Sequence, residues 1–318
     1  MKRLSLVVAV MMVFAAMALS ASGSAEGEEE RVIAVVPQQL GNPIFFDAKA
    51  GAEEAGEDLG VKIEWVAPVD ADASAQVSVV EGLIEKQVDG IAISTNDPDA
   101  LEATLRRAIE VGIEVSTFDA DSPDSGRAFY AGTENYTAGR VAGEHLIELT
   151  DGEARVALLT GLVGAYDMQA RLEGFEDAIE GTNIEIAQLL ACDDEIDKAV
   201  ELVEQYTRSN PDIDAWFFLG GWPFFVPPSS LPTLQEWKTS NKTLVTIDTF
   251  YPMLDYFDEE MIDVAIGQDF YAMGYKSVEN LVRLLDGEEI EGEYIDTGIE
   301  IVTPENYESV RAEKEPWD

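Results

Sequence analysis

Short apolar runs rich in β-branched residues alternate with longer amphipathic stretches along most of the chain. The short runs are typical of strands buried on both faces, because such strands need apolar side chains in both directions. They predict strands at 32–36, 61–66, 90–94, 114–118, 128–131, 154–160, 184–190, 215–219, 244–247, 263–267 and 294–302. The amphipathic stretches predict helices at 44–59, 75–86, 98–111, 136–149, 167–179, 195–209 and 271–285.

This order of strand, helix and strand predicts an α/β fold with parallel sheets and right-handed crossovers. The alternation alone leaves two architectures open, one closed eight-stranded barrel and two open sheets. Both place functional residues beyond the carboxyl ends of the strands. The candidate chemistry is therefore to be found where the predicted strands end.

The first residues have the pattern of a secretory signal peptide. Lys2 and Arg3 precede an apolar run at 4–19, and small residues continue to Ala25. The run is shorter than the roughly 20 residues that span a bilayer. Ser22 stands where a lipoprotein cleavage box has its cysteine, so no thiol is present to carry a lipid. We predict a signal peptide at 1–25 and a soluble periplasmic protein without a lipid anchor.

The charge balance excludes several classes of function. The 318 residues include 20 Lys and Arg against 63 Asp and Glu, a formal net charge of −43, and so acidic a surface repels nucleic acid. Cys192 and His145 are the single cysteine and histidine, which excludes an internal disulfide and a thiolate-rich or histidine-based zinc site. The sequence contains no phosphate-binding loop or dinucleotide fingerprint. We expect no metal, no cofactor and no nucleic-acid partner.

A mixture of carboxylates, amides, one guanidinium and aromatic rings follows the predicted strands. The residues are Asn42, Asp119, Asp121, Arg171, Trp222, Asp248 and Gln268. Sugars need such a mixture, because hydroxyls donate to carboxylates and accept from Arg or amide groups, while the C–H face of the ring packs on aromatic side chains. A phosphate or dicarboxylate would need more cations than Arg171. Two alternatives remain open, a surface ion pair for Arg171 and a packing role for Trp222.

Five segments carry a resemblance to a known family. They are NPIFFDAKAGAEEA, VDGIAIS, VSTFDADSPDSGRAFYAGTENYTAG, RLEGFEDAI and DTGIEIVTPEN. The chain resembles the type I periplasmic sugar-binding proteins of ABC transporters, in the ribose, galactose and glucose group, and the third segment looks most like the glucose-binding branch. The resemblance covers essentially the whole chain after the signal peptide.

The resemblance implies a fold of two Rossmann-like lobes joined by three hinge crossings, which decides against the barrel. The crossings are expected near 132–134, at Gln268 and near 296–297. The first lobe would comprise 26–132 with 268–296, and the second 133–267 with 297–318.

The resemblance also implies roles for individual residues. It places Asn42 and Phe45 against the sugar from the first lobe, with Asp119 binding hydroxyls, Arg171 forking onto sugar oxygens, and Asp248 and Gln268 completing the site. Ala120 stands where ribose binders carry an arginine, so we expect Asp121 to take over part of that work. Gly220 and Gly221 stand where ribose binders have an asparagine, and Trp222 and the proline-rich stretch 227–232 also depart from that group. We expect specificity to differ there.

The implied function is capture of a neutral monosaccharide, a hexose or pentose, by hinge closure, followed by delivery to a membrane ABC permease. We expect a monomer and no enzymatic activity. A sensor that reports its ligand to a membrane chemoreceptor or kinase shares the same pocket and remains an alternative. An exported glycoside hydrolase, with Asp119 or Asp121 and Asp248 as its carboxylate pair, is the enzyme alternative.

Overall fold

The protein is described by a computed structural model over residues 30–290 and 292–314. The predicted signal peptide at 1–25 lies outside these residues. Within the described part of the chain, none of the helices combines the length and the apolar character that a membrane span requires.

The elements alternate along the chain much as the hydrophobic pattern predicts. The strands are β1 (Val32–Val36), β2 (Lys62–Trp65), β3 (Gly90–Ile93), β4 (Glu114–Phe118), β5 (Tyr130–Gly132), β6 (Glu153–Thr160), β7 (Asn183–Ala191), β8 (Ala215–Phe218), β9 (Thr243–Ile247), β10 (Val264–Gln268), β11 (Tyr294–Asp296) and β12 (Ile299–Val302). The helices are α1 (Phe45–Leu59), α2 (Ala73–Lys86), α3 (Pro98–Glu110), α4 (Asn135–Leu149), α5 (Tyr166–Ile179), α6 (Ile196–Ser209), α7 (Pro232–Lys238), α8 (Asp255–Asp258), α9 (Phe270–Leu285) and α10 (Tyr307–Glu313).

The strands form two six-stranded sheets, which confirms the predicted α/β class with two lobes and excludes the barrel. The first sheet has the order β2-β1-β3-β4-β5-β11 and is parallel throughout, and the part of the chain built on it is called the N lobe. The second has the order β7-β6-β8-β9-β10-β12, with β12 antiparallel to β10, and defines the C lobe.

Both sheets are covered by apolar side chains on their two faces. In β8, the fully buried Phe217 and Phe218 point to opposite faces and join different core clusters. Phe217 stacks on Phe175 of α5, and Phe218 stacks on Trp216. This two-sided burial explains why the strands appear in the sequence as continuous apolar runs.

The chain passes between the sheets at three places. It leaves the first sheet after Gly132, returns to it after Gln268, and leaves again between β11 and β12. The first and third crossings are joined by a hydrogen bond of 3.1 Å from the Thr297 amide to the Gly132 carbonyl oxygen.

Three local predictions need correction. The single strand predicted at 294–302 is two strands in different sheets, because Gly298 has a φ of +81° and its amide donates to Asp296 Oδ1, which turns the chain. Helix α1 begins at Phe45 rather than at residue 44, and Ile44 is its N-cap. Helices α7 and α10 lie in segments for which the pattern predicted none.

Each lobe contains a pair of helices in backbone contact through glycine. In the N lobe, a Cβ on Gly274 of α9 would overlap the Ala48 carbonyl oxygen of α1. In the C lobe, a Cβ on Gly139 of α4 would overlap the Arg171 carbonyl oxygen of α5. Helix α4 directly follows the first crossing, and helix α9 directly follows the second. The close glycine contacts therefore fix the position of the first helix after each of these crossings.

We expect Gly274→Ala to lower the free energy of unfolding by about 1–3 kcal/mol, because the added methyl group has no room against rigid backbone. Gly82→Ala is the matched control: Gly82 is inside α2 and a Cβ there meets no atom within 4 Å, so this variant should gain about 0.5–1 kcal/mol from helix propensity. Urea unfolding of both variants measures the effect. Equal stability of Gly274→Ala and the wild type would contradict the close packing.

Candidate functional site

The carboxyl ends of the strands in both sheets face the region of the crossings. Strand β5 ends in the first crossing and β10 ends in the second, so the carboxyl edge of each parallel sheet lies next to a crossing. In both lobes the strand order reverses direction next to the first strand, between β1 and β3 and between β6 and β8. Such switch points are where open α/β sheets form their binding crevices.

Arg171 is the centre of the polar network at this edge. It lies on α5, which starts after β6, and only 3% of its surface is exposed. Its Nε donates to Asn135 Oδ1 at 2.8 Å, one Nη to the Leu219 carbonyl oxygen at 2.7 Å, and the other to Gln268 Oε1 at 2.9 Å. A guanidinium has five N–H groups, so each Nη keeps one N–H for a ligand oxygen.

Asp248 and Gln268 continue this network. Gln268 Nε2 donates to Asp248 Oδ1 at 2.7 Å, and the Gly221 amide donates to Asp248 Oδ2 at 2.8 Å. Both side chains are buried, and Asp248 has a φ of +84°. Aspartate tolerates this left-handed backbone better than most residues, and strained backbone at a strand end is frequent at functional sites. The structure thus brings together three of the predicted residues, Arg171, Asp248 and Gln268.

Asp119 approaches from the N lobe. It follows β4 with a φ of +58°, and Ser94 Oγ donates to its Oδ2 at 2.7 Å. Burial raises the pKa of Asp119 to about 7; the Ser94 hydrogen bond opposes this rise, Asp167 adds to it, Arg171 opposes it and Asp248 adds to it. The charges of the C-lobe network therefore act on the Asp119 carboxyl across the two lobes.

A narrow cleft lies beside this network and is lined by residues of both lobes. The lining residues are Ile44, Asp47 and Phe270 of the N lobe, Asp248, Thr249 and Phe250 of the C lobe, Gln268 at the second crossing, and Lys314. Ile44 packs against the core clusters of both lobes. The cleft therefore offers polar groups and apolar walls from two separate sheets.

Two predicted residues of the first lobe have other surroundings. Phe45 is only 2% exposed and makes edge-to-face contacts with Phe118 at 6.3 Å and Phe270 at 5.9 Å between ring centroids, which places it in the N-lobe core. Asn42 is half-buried, and its side-chain oxygen accepts from the Ile44 amide. Neither joins the Arg171 network, and their contact with a ligand remains a prediction.

Asp121 is held by a salt bridge rather than by the network. Both of its carboxylate oxygens accept from Arg127, and Thr117 Oγ1 also donates to it. Arg127 in turn donates to the Glu293 carbonyl oxygen, just before β11. Asp121 therefore holds Arg127, which links the β4–β5 loop to the segment before β11. A sugar contact of Asp121 remains a prediction.

Trp222 lies at the carboxyl edge of the C-lobe sheet, half-buried in a short 3-10 helix. Atoms of its six-membered ring would come within 2.6 Å of a Cβ on Gly161 and within 2.8 Å of one on Gly220. The glycines after β6 and β8 thus allow the ring to lie directly over the strand ends. Both a packing role and a ligand-facing role are compatible with this position.

Sequence reasoning missed three residues at this edge. Asn135 holds Arg171, Asp167 precedes Arg171 by one helical turn, and the Asp194 carboxylate lies beside Gly161. The four-residue spacing of Asp167 and Arg171 could have indicated a shared helix face. Asp194 follows a predicted strand, as Asp119 does. Within the described ranges, no group of three or more His, Cys, Asp or Glu side chains is arranged to hold a metal ion.

Comparison with known families and proteins gives a consistent result. A family model described as "Periplasmic binding protein domain" matches residues 33–289. The ribose import binding protein of Escherichia coli is 24% identical over 282 residues, covering 88% of this chain and 93% of the relative. The D-ribose/D-allose-binding protein of Pseudomonas aeruginosa is 27% identical over 201 residues, covering 60% of this chain and 63% of the relative.

Solved structures agree with these relatives. A solute-binding protein of an ABC transporter from Burkholderia graminis, in complex with D-arabinose, is 32% identical with a TM-score of 0.82, covering 87% of this chain and 96% of that one. A glucose-galactose binding protein from Geobacillus stearothermophilus is 26% identical with a TM-score of 0.80, covering 88% and 99%.

The raised pKa of Asp119 makes stability depend on pH. Between its ordinary value of 3.8 and about 7, the folded protein keeps a proton on Asp119 that the unfolded chain has lost, so stability from this group falls as pH rises through that range. Asp119→Asn should remove this part of the fall. Melting temperatures from pH 4 to pH 8 measure the effect, with the exposed Asp124→Asn as a control of equal charge change. Parallel pH profiles for the wild type and Asp119→Asn would contradict the expected titration.

Proposed function

The chain belongs to the periplasmic binding protein family, in its type I sugar-binding group, and from this premise we propose that it captures a neutral monosaccharide, a hexose or a pentose. The observation that carries the proposal is the set of free hydrogen-bonding positions between the lobes. Arg171 keeps two N–H groups for ligand oxygens, while Asp119 Oδ1 accepts from no residue in the described ranges. A ligand with several hydroxyls can satisfy both kinds of group at once.

A neutral ligand fits the charges of the site. Arg171 is buried, and its protein partners are neutral oxygens. Asp119, Asp167 and Asp248 lie in the electrostatic surroundings of Arg171, and Asp47 lines the cleft together with Lys314. Carboxylates therefore outnumber the two cations, which disfavours an anionic sugar because carboxylates repel anions. Sugar hydroxyls instead donate to the carboxylates and accept from the guanidinium.

Ligand capture would proceed by hinge closure. We propose lobe boundaries at 26–132 with 268–296 and at 133–267 with 297–318. The sheet to which each strand belongs supports this division, except that Gln268 itself ends β10 in the second sheet. A sugar that contacts Asp119 in the N lobe and Arg171 in the C lobe binds the closed arrangement better than the open one. This difference in affinity is what shifts the population toward closure.

The closed protein would then deliver the sugar to a membrane ABC permease. The relatives support this step by their names, a ribose import binding protein and a solute-binding protein of an ABC transporter. Export by the signal peptide at 1–25 and a periplasmic location without a lipid anchor complete the proposal.

A thermal-shift screen of the mature protein tests the function directly. The panel is D-ribose, D-arabinose, D-xylose, D-allose, D-glucose and D-galactose, and we expect at least one to raise the melting temperature because it binds only the folded state. Glucose 6-phosphate serves as the anionic control and should give no shift. Nitrophenol release from nitrophenyl glycosides would instead show a hydrolase, and a panel without any shift would reject the proposal.

Arg171→Ala and Asp248→Ala should each weaken binding of the sugar selected by that screen. We expect a loss of about 1.5–3 kcal/mol per charged hydrogen bond removed. Isothermal titration calorimetry measures the affinity, and circular dichroism checks that each variant is folded. Arg155→Ala is the control, because Arg155 pairs with Asp212 on the exposed surface of the same lobe. A folded variant with unchanged affinity would remove that residue from the site.

A further inference from the structure

Three loops of the C lobe meet at Gly161, directly after β6. The carboxylate of Asp194 would overlap a Cβ at Gly161, and Trp222 Cζ2 would lie 2.6 Å from it. The Asp194 carboxylate and the Trp222 ring therefore both lie against this one glycine. They come from separate loops, after β7 and after β8.

This meeting point lies at the switch point of the C-lobe sheet. Strand β6 is hydrogen-bonded to β7 on one side and to β8 on the other, and the strand order changes direction there. Residues after β6, β7 and β8 consequently border the crevice in which open α/β sheets bind ligands. Arg171 follows the same strand β6 on α5.

The Asp194 carboxylate and the Trp222 indole N–H lack a hydrogen-bonding partner within the described part of the chain. In residues 30–290 and 292–314, the Asp194 carboxylate accepts no hydrogen bond and forms no ion pair, and the Trp222 indole N–H donates to no acceptor. The adjacent Asp193 behaves differently, since it pairs with Lys198. Trp216 and Trp237 also differ, since their indole N–H groups donate to Thr207 and to the Ile213 carbonyl oxygen.

The surroundings of Asp194 place its carboxylate near the Arg171 network. Burial of the carboxylate raises its pKa to about 6, with a further rise from Asp167 and Asp193 and a reduction from Arg171. Asp194 is exposed as a residue, while its Oδ1 lies against Gly161. It has a φ of +59° in the loop that follows β7.

We propose that Asp194 is a specificity-determining residue of the sugar site, which accepts a hydrogen bond from a sugar hydroxyl while Trp222 covers the adjoining C–H face of the ring. The inference rests on the proposed sugar-binding function and adds to it a carboxylate and indole subsite in the C lobe. A carboxylate next to an aromatic face suits a polyhydroxylated ring, because the hydroxyl and the C–H surface are recognised together. The indole N–H can in addition donate to a ring or hydroxyl oxygen.

Asp194→Asn tests this role with little structural change. Asparagine tolerates the left-handed backbone as aspartate does, so the loop should keep its shape. The variant keeps one side-chain oxygen but loses the charge, and a hydrogen bond to a charged group corresponds to about a tenfold or greater change in Kd. Asp193→Asn is the matched control, because Asp193 is adjacent to Asp194 in sequence and carries the same charge. Asp193 belongs to an exposed ion pair with Lys198, so its loss should change Kd by less than about twofold.

Calorimetric titrations use D-ribose, D-arabinose, D-allose, D-glucose and D-galactose, together with the mono-deoxy forms of each sugar that the wild type binds. We expect Asp194→Asn to weaken binding of the parent sugar. The affinity for the one deoxy sugar that lacks the hydroxyl contacting Asp194 should stay unchanged. Trp222→Phe, which keeps an aromatic ring but loses the N–H group, should bind more weakly and lose part of the sugar-induced change in tryptophan fluorescence.

Equal affinities of Asp194→Asn and Asp193→Asn for every sugar that the wild type binds would overturn the inference and leave the proposed function intact. A wild type that binds none of the sugars would overturn both. If Asp194→Asn loses the same amount of affinity for the parent sugar and for all of its deoxy forms, a direct hydroxyl contact is also contradicted.

Discussion

The buried guanidinium of Arg171 is the constraint around which the site is organised. A cation that is almost fully buried must have its N–H groups paired, because leaving them without partners is costly in free energy. Asn135, Leu219 and Gln268 provide three acceptors. Gln268 also donates to Asp248, which extends the network to that carboxylate. The hydrogen bonds fix the guanidinium plane and leave one N–H of each Nη without an acceptor in the described residues. A ligand oxygen would fill these positions in the proposed function, and the fixed plane is the preorganisation that such binding requires.

The same network connects recognition to the hinge. Asn135 begins the helix that follows the first crossing, and Gln268 ends the strand that precedes the second. Near the first crossing, Tyr130 stacks on Tyr294, and its hydroxyl donates to the carbonyl oxygen of Asp119. Groups that would contact a sugar are thus hydrogen-bonded to the segments that would rotate in the proposed hinge closure, so ligand contacts and closure would share the same elements.

The hydrophobic pattern predicted the alternation of strands and helices well, because strands buried on both faces leave a strong signal in the sequence. Side-chain partners that are distant in sequence left no such signal. Phe45 packs on two phenylalanines from other elements, and Asp121 is paired with Arg127, contacts that the sequence motif did not indicate. Whether either residue also contacts a ligand remains a prediction. Asp194 was missed because its proximity to Trp222 depends on the order of the strands in the sheet. Local sequence patterns do not reveal that order.

The most direct measurement is a crystal structure of the mature protein grown with the sugar that gives the largest thermal shift. We expect one sugar molecule between the lobes, within hydrogen-bond distance of Asp119 from the N lobe and of Arg171 and Asp248 from the C lobe. A sugar that touches one lobe alone, or that lies away from the carboxyl edges of the sheets, would contradict a site built around the Arg171 network.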